Sequence, residues 1–268
     1  EFSMDVDLYD VLRIYDKKKS IKDTANLTRS KLFYKAATHN YKTKYDNLEF
    51  NKYMWSVKGM YSPFLQMFAT DLPEADVYHS LSAGYAGLLA SLAKVRYGKP
   101  FILSEHGIYT RERQEEIIKA VWVDKVFKVV WMDFFKFISL LAYKYADVIT
   151  SLFNDAKKLQ GEYGAAIDKC VVVSNGVDTS RFTVQRDNHD GFNVGFITRV
   201  VPIKDVLTAI RAFYLVNKKD KDVKFWVMGP TDEDEDYFEQ CLDLTAALGL
   251  SEVVEFMGIV NIKEYMSI

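Results

Sequence analysis

The chain has 268 residues, of which 49% are hydrophobic and 27% are charged, and its formal net charge is −2. This profile is typical of a globular protein with one large domain or two smaller ones, and the near-neutral charge excludes a chain-wide basic footprint for nucleic acid. Cys170, Cys241 and the four histidines follow no disulfide or metal-ligand spacing, so we predict neither a metal site nor a cofactor. Two cysteines in apolar segments also fit a reducing cytoplasm.

Two apolar stretches are candidates for membrane contact. Residues 77–93 contain a histidine, serines and glycines, which argues against a membrane span. Residues 121–145 carry charges at intervals, which predicts a packed amphipathic helix. The aromatic face of that helix leaves open a peripheral role, either at a membrane surface or against a partner.

The first two thirds of the chain combine helices with βαβ units. Residues 5–70 have helical periodicity, and Pro63 and Pro73 break the pattern. Short apolar runs then alternate with amphipathic segments, which predicts a parallel sheet. The predicted strands are residues 76–79, 101–104, 147–150 and 170–173. The predicted helices are residues 84–97, one long helical stretch after residue 104, and a helix capped by Asn154 that ends near Gly164.

The strand–helix alternation stops and then resumes. Residues 178–191 are polar and predict a linker. Beyond it we predict strands at 192–197, 223–228 and 253–257, and helices at 205–217 and 237–248. The fold class is therefore α/β, with two Rossmann-like domains, residues 1–187 and 188–268, each containing a parallel sheet. Three strands are too few for a complete second sheet, and the first lacks an opening strand with a glycine-rich turn, so we expect a chain cut at both ends.

Two cations flank the loop that follows the strand at 192–197. Arg199 and Lys204 lie between this strand and the next helix, where ligands of open α/β sheets bind. A helix N-terminus adds free N–H groups and positive potential. The pair therefore predicts a diphosphate site that needs no metal. Spacing alone favours a plainer interpretation, in which both are solvated surface cations at a helix start.

A second candidate site follows the strand at 101–104, where the chain reads EHGIYTRER. His106 at a strand end is suited to bind a sugar hydroxyl or to stabilise charge at a reacting centre, and Gly107 frees the backbone beside it. Arg111 and Arg113 are suited to phosphates or acidic groups. The alternative, which an isolated histidine favours, is a capped turn with an Arg–Glu surface network.

Small residues mark several other turns. Gly84 and Gly87 follow the strand at 76–79 and serve either ligand approach or, more simply, helix–sheet packing. Residues 174–178, SNGVD, have turn composition. Gly229 with Pro230, and Gly258, close two strands of the second domain, at the sheet edge where a nucleoside would rest.

Together, several motifs resemble the family 4 retaining glycosyltransferases of the GT-B fold in their order and spacing. They are EHG at 105–107, NGVD at 175–178, the Arg199–Lys204 pair, Gly229-Pro230 and FMG at 256–258. The resemblance runs from about Leu72 to the end. Within the family, LPEADVYHSLSAGYAGLLA, SEHGIYTRERQEEI, RVVPIKD and GPTDED are most similar to the PelF type, which builds exopolysaccharide in the cytoplasm.

The resemblance implies that the second domain binds a UDP-sugar, with UDP-glucose the first choice, and that the first domain binds the acceptor. It implies that Arg199 and Lys204 hold the diphosphate and that His106 approaches the donor sugar. Further substrate-binding residues that it implies are Glu105, Gly107, Tyr109, Arg111, Arg113, Asn175, Thr198, Gly229, Pro230, Met257 and Gly258. The implied partners are a polysaccharide acceptor and membrane-embedded export or synthase subunits. The implied location is the cytoplasm or the inner face of the membrane.

The chain also departs from the family pattern. The glutamate-rich motif of the second domain and the opening glycine loop of the first are absent, and Thr198 stands where many relatives have glycine. We therefore expect this chain alone to be inactive. Two alternatives stay open: a non-enzymatic GT-B scaffold of a polysaccharide synthase, and another GT-B enzyme such as a nucleotide-sugar epimerase or a phosphorylase. The retained Arg199, Lys204 and His106 argue against the scaffold.

Overall fold

The computed structural model describes residues 6–17, 28–183 and 192–265. The chain divides into two compact units, Glu1–Asn175 and Gly176–Ile268. This division precedes the predicted domain boundary at residues 187 and 188. Most of the predicted linker, residues 184–191, lies outside the described residues. Its described part contains a short 3₁₀ turn, Thr179–Phe182.

Before the first sheet, the described residues include the helices α1 (Leu8–Lys17), α2 (Lys31–Lys44) and α3 (Phe50–Ala69). The Tyr53 hydroxyl joins α3 to α2, since it donates to the Ala37 carbonyl at 3.0 Å and accepts from the Asn40 amide at 2.9 Å.

Pro63 lies inside α3, so the prediction that it breaks the helix was wrong. A proline in a helix loses one backbone hydrogen bond. The buried face of α3, which includes Tyr53 and Phe68, offsets that loss by packing against the core.

The first unit contains a parallel sheet of four strands in sequential order. The strands are β1 (Tyr78–Ser80), β2 (Phe101–Glu105), β3 (Val148–Ser151) and β4 (Cys170–Val172). Each predicted strand is confirmed to within two residues at either end. Parallel strands require crossover connections, and helices provide them: α4 (Tyr85–Tyr97), α5 (Tyr109–Lys119), α6 (Lys128–Tyr145) and α7 (Asn154–Glu162).

Two details of these connections differ from the prediction. The stretch after β2 forms two helices, α5 and α6, separated by residues 120–127, because Asp124 accepts from the Val126 N–H and starts a 3₁₀ turn. Asn154 does not cap α7: it is the first helical residue, and Phe153 precedes it without a side-chain cap.

The core of the first unit is largely aromatic. Phe134 of α6 lies 6.2 Å from Phe64 and 6.4 Å from Tyr61, measured between ring centres. Other buried side chains of α6 are Trp131, Phe135, Phe137, Ile138, Leu141 and Tyr143. The aromatic face that left a membrane role open is thus packed in the core along α6.

The second unit contains a parallel sheet of three strands, in the order β5 (Asn193–Ile197), β6 (Lys224–Met228) and β7 (Val254–Gly258). Its helices are α8 (Val206–Asn217), α9 (Glu235–Ala247) and α10 (Ile262–Tyr265). The core includes Phe213 and Phe225, whose rings stack with centres 5.0 Å apart. The prediction of an α/β fold with parallel sheets is confirmed in both units.

Three further observations concern the described residues alone. No helix there is both long and apolar enough to cross a membrane. No group of three or more His, Cys, Asp or Glu residues in these ranges is arranged to hold a metal ion. Cys170 and Cys241 are buried free thiols.

Candidate functional site

The first candidate site is the turn after β2, which begins with a buried carboxylate. Glu105 is only 3% exposed. Its Oε2 accepts from the Tyr143 hydroxyl at 2.7 Å and from the Gln160 amide at 3.1 Å. Its Oε1 accepts from the backbone N–H of Tyr109 at 3.3 Å, across the turn. The carboxylate therefore joins the turn to α6 and α7.

Burial raises the pKa of Glu105 above its ordinary value, and the three hydrogen-bond donors oppose that rise. Burial, followed by the nearby Glu105 charge, also raises the pKa of Tyr143 far beyond its usual range, so this phenol stays a donor. These contacts occupy the Glu105 carboxylate within the protein. The resemblance implied that Glu105 contacts the substrate. In the structure its carboxylate accepts hydrogen bonds that fix the turn after β2.

The turn places His106 at the surface. The side chain of His106 is exposed, while Ile108, two residues later, is buried. A Cβ at Gly107 would lie 1.9 Å from Oε1 of Glu112, an exposed side chain that can move aside. The turn thus holds His106 beside the carboxyl end of β2, as the sequence predicts.

Other residues predicted at this turn have partners within the protein. The Tyr109 ring packs against Gly84, where a Cβ would meet it at 2.3 Å, so Gly84 serves packing. Arg111 pairs with Glu115 at 3.2 Å and Arg113 with Glu116 at 2.6 Å, on the surface of α5. The surface Arg–Glu network is therefore the arrangement observed, and His106 is exposed beside it.

In the second unit, backbone hydrogen bonds bring three strand ends together. The N–H of Thr198, after β5, donates to the Met228 carbonyl at 2.9 Å, and Val200 N–H donates to the Pro230 carbonyl at 2.9 Å. The N–H of Gly229, after β6, donates to the Gly258 carbonyl at 2.7 Å. The predicted residues Thr198, Arg199, Gly229, Pro230 and Gly258 thus form one cluster at the carboxyl edge of the sheet.

Gly229 permits this convergence. Its φ is +150°, and a Cβ there would lie 1.9 Å from the Thr198 carbonyl oxygen. A side chain would collide with backbone, which cannot move aside as a flexible side chain can. By contrast, a Cβ on Gly258 would meet nothing within 4 Å, although its φ of +66° favours glycine. Open space therefore lies beside Gly258, while the approach of Gly229 to Thr198 is tight.

Arg199 and Lys204 are both exposed, and one of them has a carboxylate partner. Arg199 Nη1 lies 2.8 Å from Glu233 Oε2, in the loop after β6. Lys204 ends the 3₁₀ turn Pro202–Lys204. An exposed ion pair contributes only about 0–1 kcal/mol, so Arg199 remains available to an anionic ligand that competes with Glu233.

The start of α8 differs from the prediction of a helix end with free donors. Asp205 has a φ of +50°, and its carboxylate caps the helix by accepting from the Thr208 N–H. The Leu207 N–H donates to the Tyr237 hydroxyl at 3.3 Å. Because these two N–H groups are satisfied internally, a bound anion would depend mainly on the Arg199 and Lys204 side chains.

Two predicted residues remain, Met257 and Asn175. Met257 is half-buried in β7, next to Gly258. Asn175 is exposed at the end of the first unit.

A polar chain on the first sheet was missed by the sequence analysis. His79 Nε2 lies 2.9 Å from Ser104 Oγ, which accepts from the Thr150 hydroxyl at 2.7 Å. Ser104 pairs with Thr150 in the parallel register, whereas His79 pairs with Ile102, two residues before Ser104 on the same face of β2. The alternation of side chains along each strand predicts which residues share a face of the sheet. Only the pairing register shows which residues of different strands are neighbours.

Comparisons with known proteins place the chain in a family. Residues 5–168 match the domain of unknown function DUF3492, and the chain belongs to that family. The MMP α-(1→4)-mannosyltransferase of Mycolicibacterium hassiacum is 25% identical over 185 residues, which are 67% of this chain and 42% of that protein.

Two solved structures share the fold at low identity. Anabaena HepE in complex with UDP has a TM-score of 0.54 at 16% identity, over 76% of this chain and 51% of that one. A glycosyltransferase from Rickettsia africae has a TM-score of 0.53 at 17% identity, over 81% of this chain and 52% of that one. The chain thus spans about half the length of the relatives it matches. These neighbours are GT-B glycosyltransferases, and the predicted fold class is confirmed.

We expect Glu105→Ala to cost about 3 kcal/mol or more of unfolding free energy, because it leaves several buried donors without an acceptor at about 1–3 kcal/mol each. Glu105→Gln keeps an acceptor for Tyr143 and should cost only about 1 kcal/mol. The measurement is urea unfolding of both variants and the wild type.

The pH dependence follows from the raised pKa of Glu105. A raised folded-state pKa contributes stability that is fully present below the unfolded pKa and is lost as pH rises through the folded pKa. The advantage of the wild type over Glu105→Gln should therefore be largest near pH 4 and decline as the pH increases. An advantage that grows with pH would contradict the assigned direction.

Proposed function

We propose that the full-length protein is a retaining glycosyltransferase. It would move a sugar from a nucleotide-sugar, with UDP-glucose or a related UDP-sugar as donor, to a growing exopolysaccharide. The observation that carries the proposal is the meeting of three strand ends in the second unit, with exposed Arg199 and Lys204 beside them. Ligands of open α/β sheets bind at this edge.

The two cations match the charge of a nucleoside diphosphate. As the bond between the sugar C1 and the β-phosphate oxygen breaks, negative charge grows on the departing diphosphate. The acceptor oxygen bonds to C1 and gives up its proton, which the departing diphosphate can accept. Arg199 can bind two phosphate oxygens at once, while Lys204 acts as a movable point charge. Fixed positive groups at the place where charge develops lower the barrier directly.

The nucleoside would lie along the loops that end β6 and β7. Gly229 keeps the backbone close to Thr198, and the space beside Gly258 is open. Pro230 and Met257 would border this position. The UDP held by HepE supports a uridine nucleotide as the first choice, and the mannosyltransferase relative supports sugar transfer as the reaction class.

His106 would act on the donor sugar. Its exposure at the end of β2, on a turn held by buried Glu105, supports this role. The motifs shared with the PelF type support a polysaccharide acceptor, a cytoplasmic location and association with membrane-embedded export or synthase subunits.

Substituting the cations tests the proposal most directly. Arg199→Ala and Lys204→Ala should each lower turnover by about 10²-fold or more, the usual effect of removing one group that stabilises developing charge. The double variant should lose less than the product of the single losses, because both residues act on one diphosphate. Turnover of the full-length protein with UDP-glucose, with and without a chelator, is the measurement.

Two controls accompany this test. Lys224→Ala removes an exposed lysine at the opposite, amino end of β6 and should leave turnover unchanged. Arg199→Lys keeps the charge but loses bidentate binding, so it should lower turnover. Normal turnover in both alanine variants, or loss of wild-type activity in the chelator, would contradict the diphosphate site.

Glu233→Gln should tighten UDP binding, because it removes a negative charge 2.8 Å from the Arg199 guanidinium. An exposed pair of this kind is worth up to about 1 kcal/mol, so the dissociation constant should fall about two- to fivefold. Calorimetric titration with UDP measures it, and Asp232→Asn is the matched control. Weaker binding would mean instead that Glu233 orients Arg199.

His106→Ala should lower the transfer rate by about 10²–10³-fold, as loss of one transition-state hydrogen bond does, while UDP affinity stays unchanged. His39→Ala, which removes an exposed histidine from α2, is the control. A loss confined to UDP binding would place His106 at the nucleotide and contradict its assignment to the sugar.

A further inference from the structure

The connection between α5 and α6 exposes several apolar side chains. Val121 is 99% exposed and Trp122 is 68% exposed. Val126 in the same connection, Ile118 near the end of α5 and Val129 at the start of α6 are also exposed. Single exposed apolar residues are ordinary, but a contiguous group of large ones marks contact with another molecule or with lipid.

The Trp55 ring on α3 belongs to the same surface. Trp122 packs edge-on against Trp131, with ring centres 5.4 Å apart. Trp131 in turn lies against α3 at Gly59, where a Cβ would be 3.3 Å away. Trp55 precedes Gly59 by one helical turn and is 75% exposed.

An ion pair connects α3 and this connection on the other side of Trp55. Lys52 Nζ lies 3.3 Å from Asp124 Oδ2, and Lys52 precedes Trp55 by one turn of α3. Because Lys52 and Gly59, about one turn to either side of Trp55 on α3, lie against Asp124 and Trp131, we assign Trp55 to the same surface. We call the group the Trp55–Trp122 surface: Lys52, Trp55, Lys58, Ile118, Lys119, Val121, Trp122, Asp124, Lys125, Val126, Lys128 and Val129.

The charge of this surface differs from that of the whole chain. Its charged residues are five lysines and one aspartate, whereas the chain has a net charge of −2. Asp124 and the adjacent Glu49 both lie within 3.4 Å of Lys52. Positive charge therefore remains around the two exposed tryptophans.

We propose that the Trp55–Trp122 surface binds an anionic phospholipid membrane. Tryptophan and aliphatic side chains enter the interfacial layer of a bilayer, and lysines beside them attract anionic headgroups. A protein partner fits less well, because protein interfaces are depleted in lysine and enriched in arginine, and the surface has no arginine. A second copy would bring like charges together. The proposal is independent of the donor site.

Vesicle sedimentation of the full-length protein tests this. The wild type should pellet with vesicles of mixed phosphatidylcholine and phosphatidylglycerol, and much less with phosphatidylcholine alone. Binding should weaken as salt rises from about 0.1 M to about 1 M, because the screening length shortens from about 10 Å to about 3 Å.

Surface variants identify the residues involved. Val121→Ser combined with Trp122→Ser should weaken binding about tenfold or more, the effect of losing one well-buried apolar side chain. Lys119→Glu combined with Lys125→Glu should abolish the preference for phosphatidylglycerol. Leu215→Ser, which changes an exposed leucine of α8 in the second unit, is the matched control and should bind as the wild type does.

Each contrary result overturns the proposal. One is a wild type that pellets no better with the mixed vesicles than with phosphatidylcholine. Another is a pair of surface variants that bind like the wild type while keeping its circular dichroism and melting temperature. A third is a wild-type dimer, detected by sedimentation velocity, that the serine variant dissociates, since this would assign the surface to self-association. UDP affinity should be unchanged in every variant, so failure of the donor site is detected separately.

Discussion

The close approach of two backbone segments, Gly229 and Thr198, is the constraint on which the second unit's site depends. The loops after β5 and β6 can meet only if residue 229 lacks a side chain, because a Cβ would lie 1.9 Å from the Thr198 carbonyl oxygen. Their hydrogen bonds then fix the direction of the chain at Arg199. The next loop joins them through the bond from Gly229 to Gly258. The placement of Arg199 thus depends on the missing side chain at Gly229.

In the first unit, the backbone beside the exposed side chain is fixed by a buried carboxylate rather than by a close backbone approach. There a carboxylate, Glu105, ties the turn after β2 to Tyr143 of α6 and Gln160 of α7. Burying a carboxylate is costly unless donors surround it, and Glu105 has three. In both units, residues next to the exposed side chain make the contacts that fix the backbone. His106 in the first unit and Arg199 in the second therefore keep a fixed backbone and an accessible side chain.

The strands, and the fact that the candidate residues follow them, could be predicted from local sequence. Apolar runs such as residues 101–104 are short-range signals, and the carboxyl ends of parallel strands meet at one edge. The pairing of Arg199 with Glu233 could not be predicted, since the partners are 34 residues apart. The same holds for the Glu105 network, which spans β2, α6 and α7. The prediction for Pro63 was wrong because tertiary packing outweighed the local preference of proline. The helix cap at Asp205 could not be predicted either, because it depends on a left-handed backbone conformation at that one residue.

The central claim is that the strand ends of the second unit bind the diphosphate of a nucleotide-sugar. Hydrogen–deuterium exchange of the full-length protein, with and without UDP, tests it most directly because it reports position as well as binding. The account predicts slower exchange on UDP addition in peptides that cover residues 198–206, 229–233 and 257–260, and much less change in these peptides for Arg199→Ala. Unchanged exchange in all three segments at saturating UDP, with protection elsewhere, would contradict it.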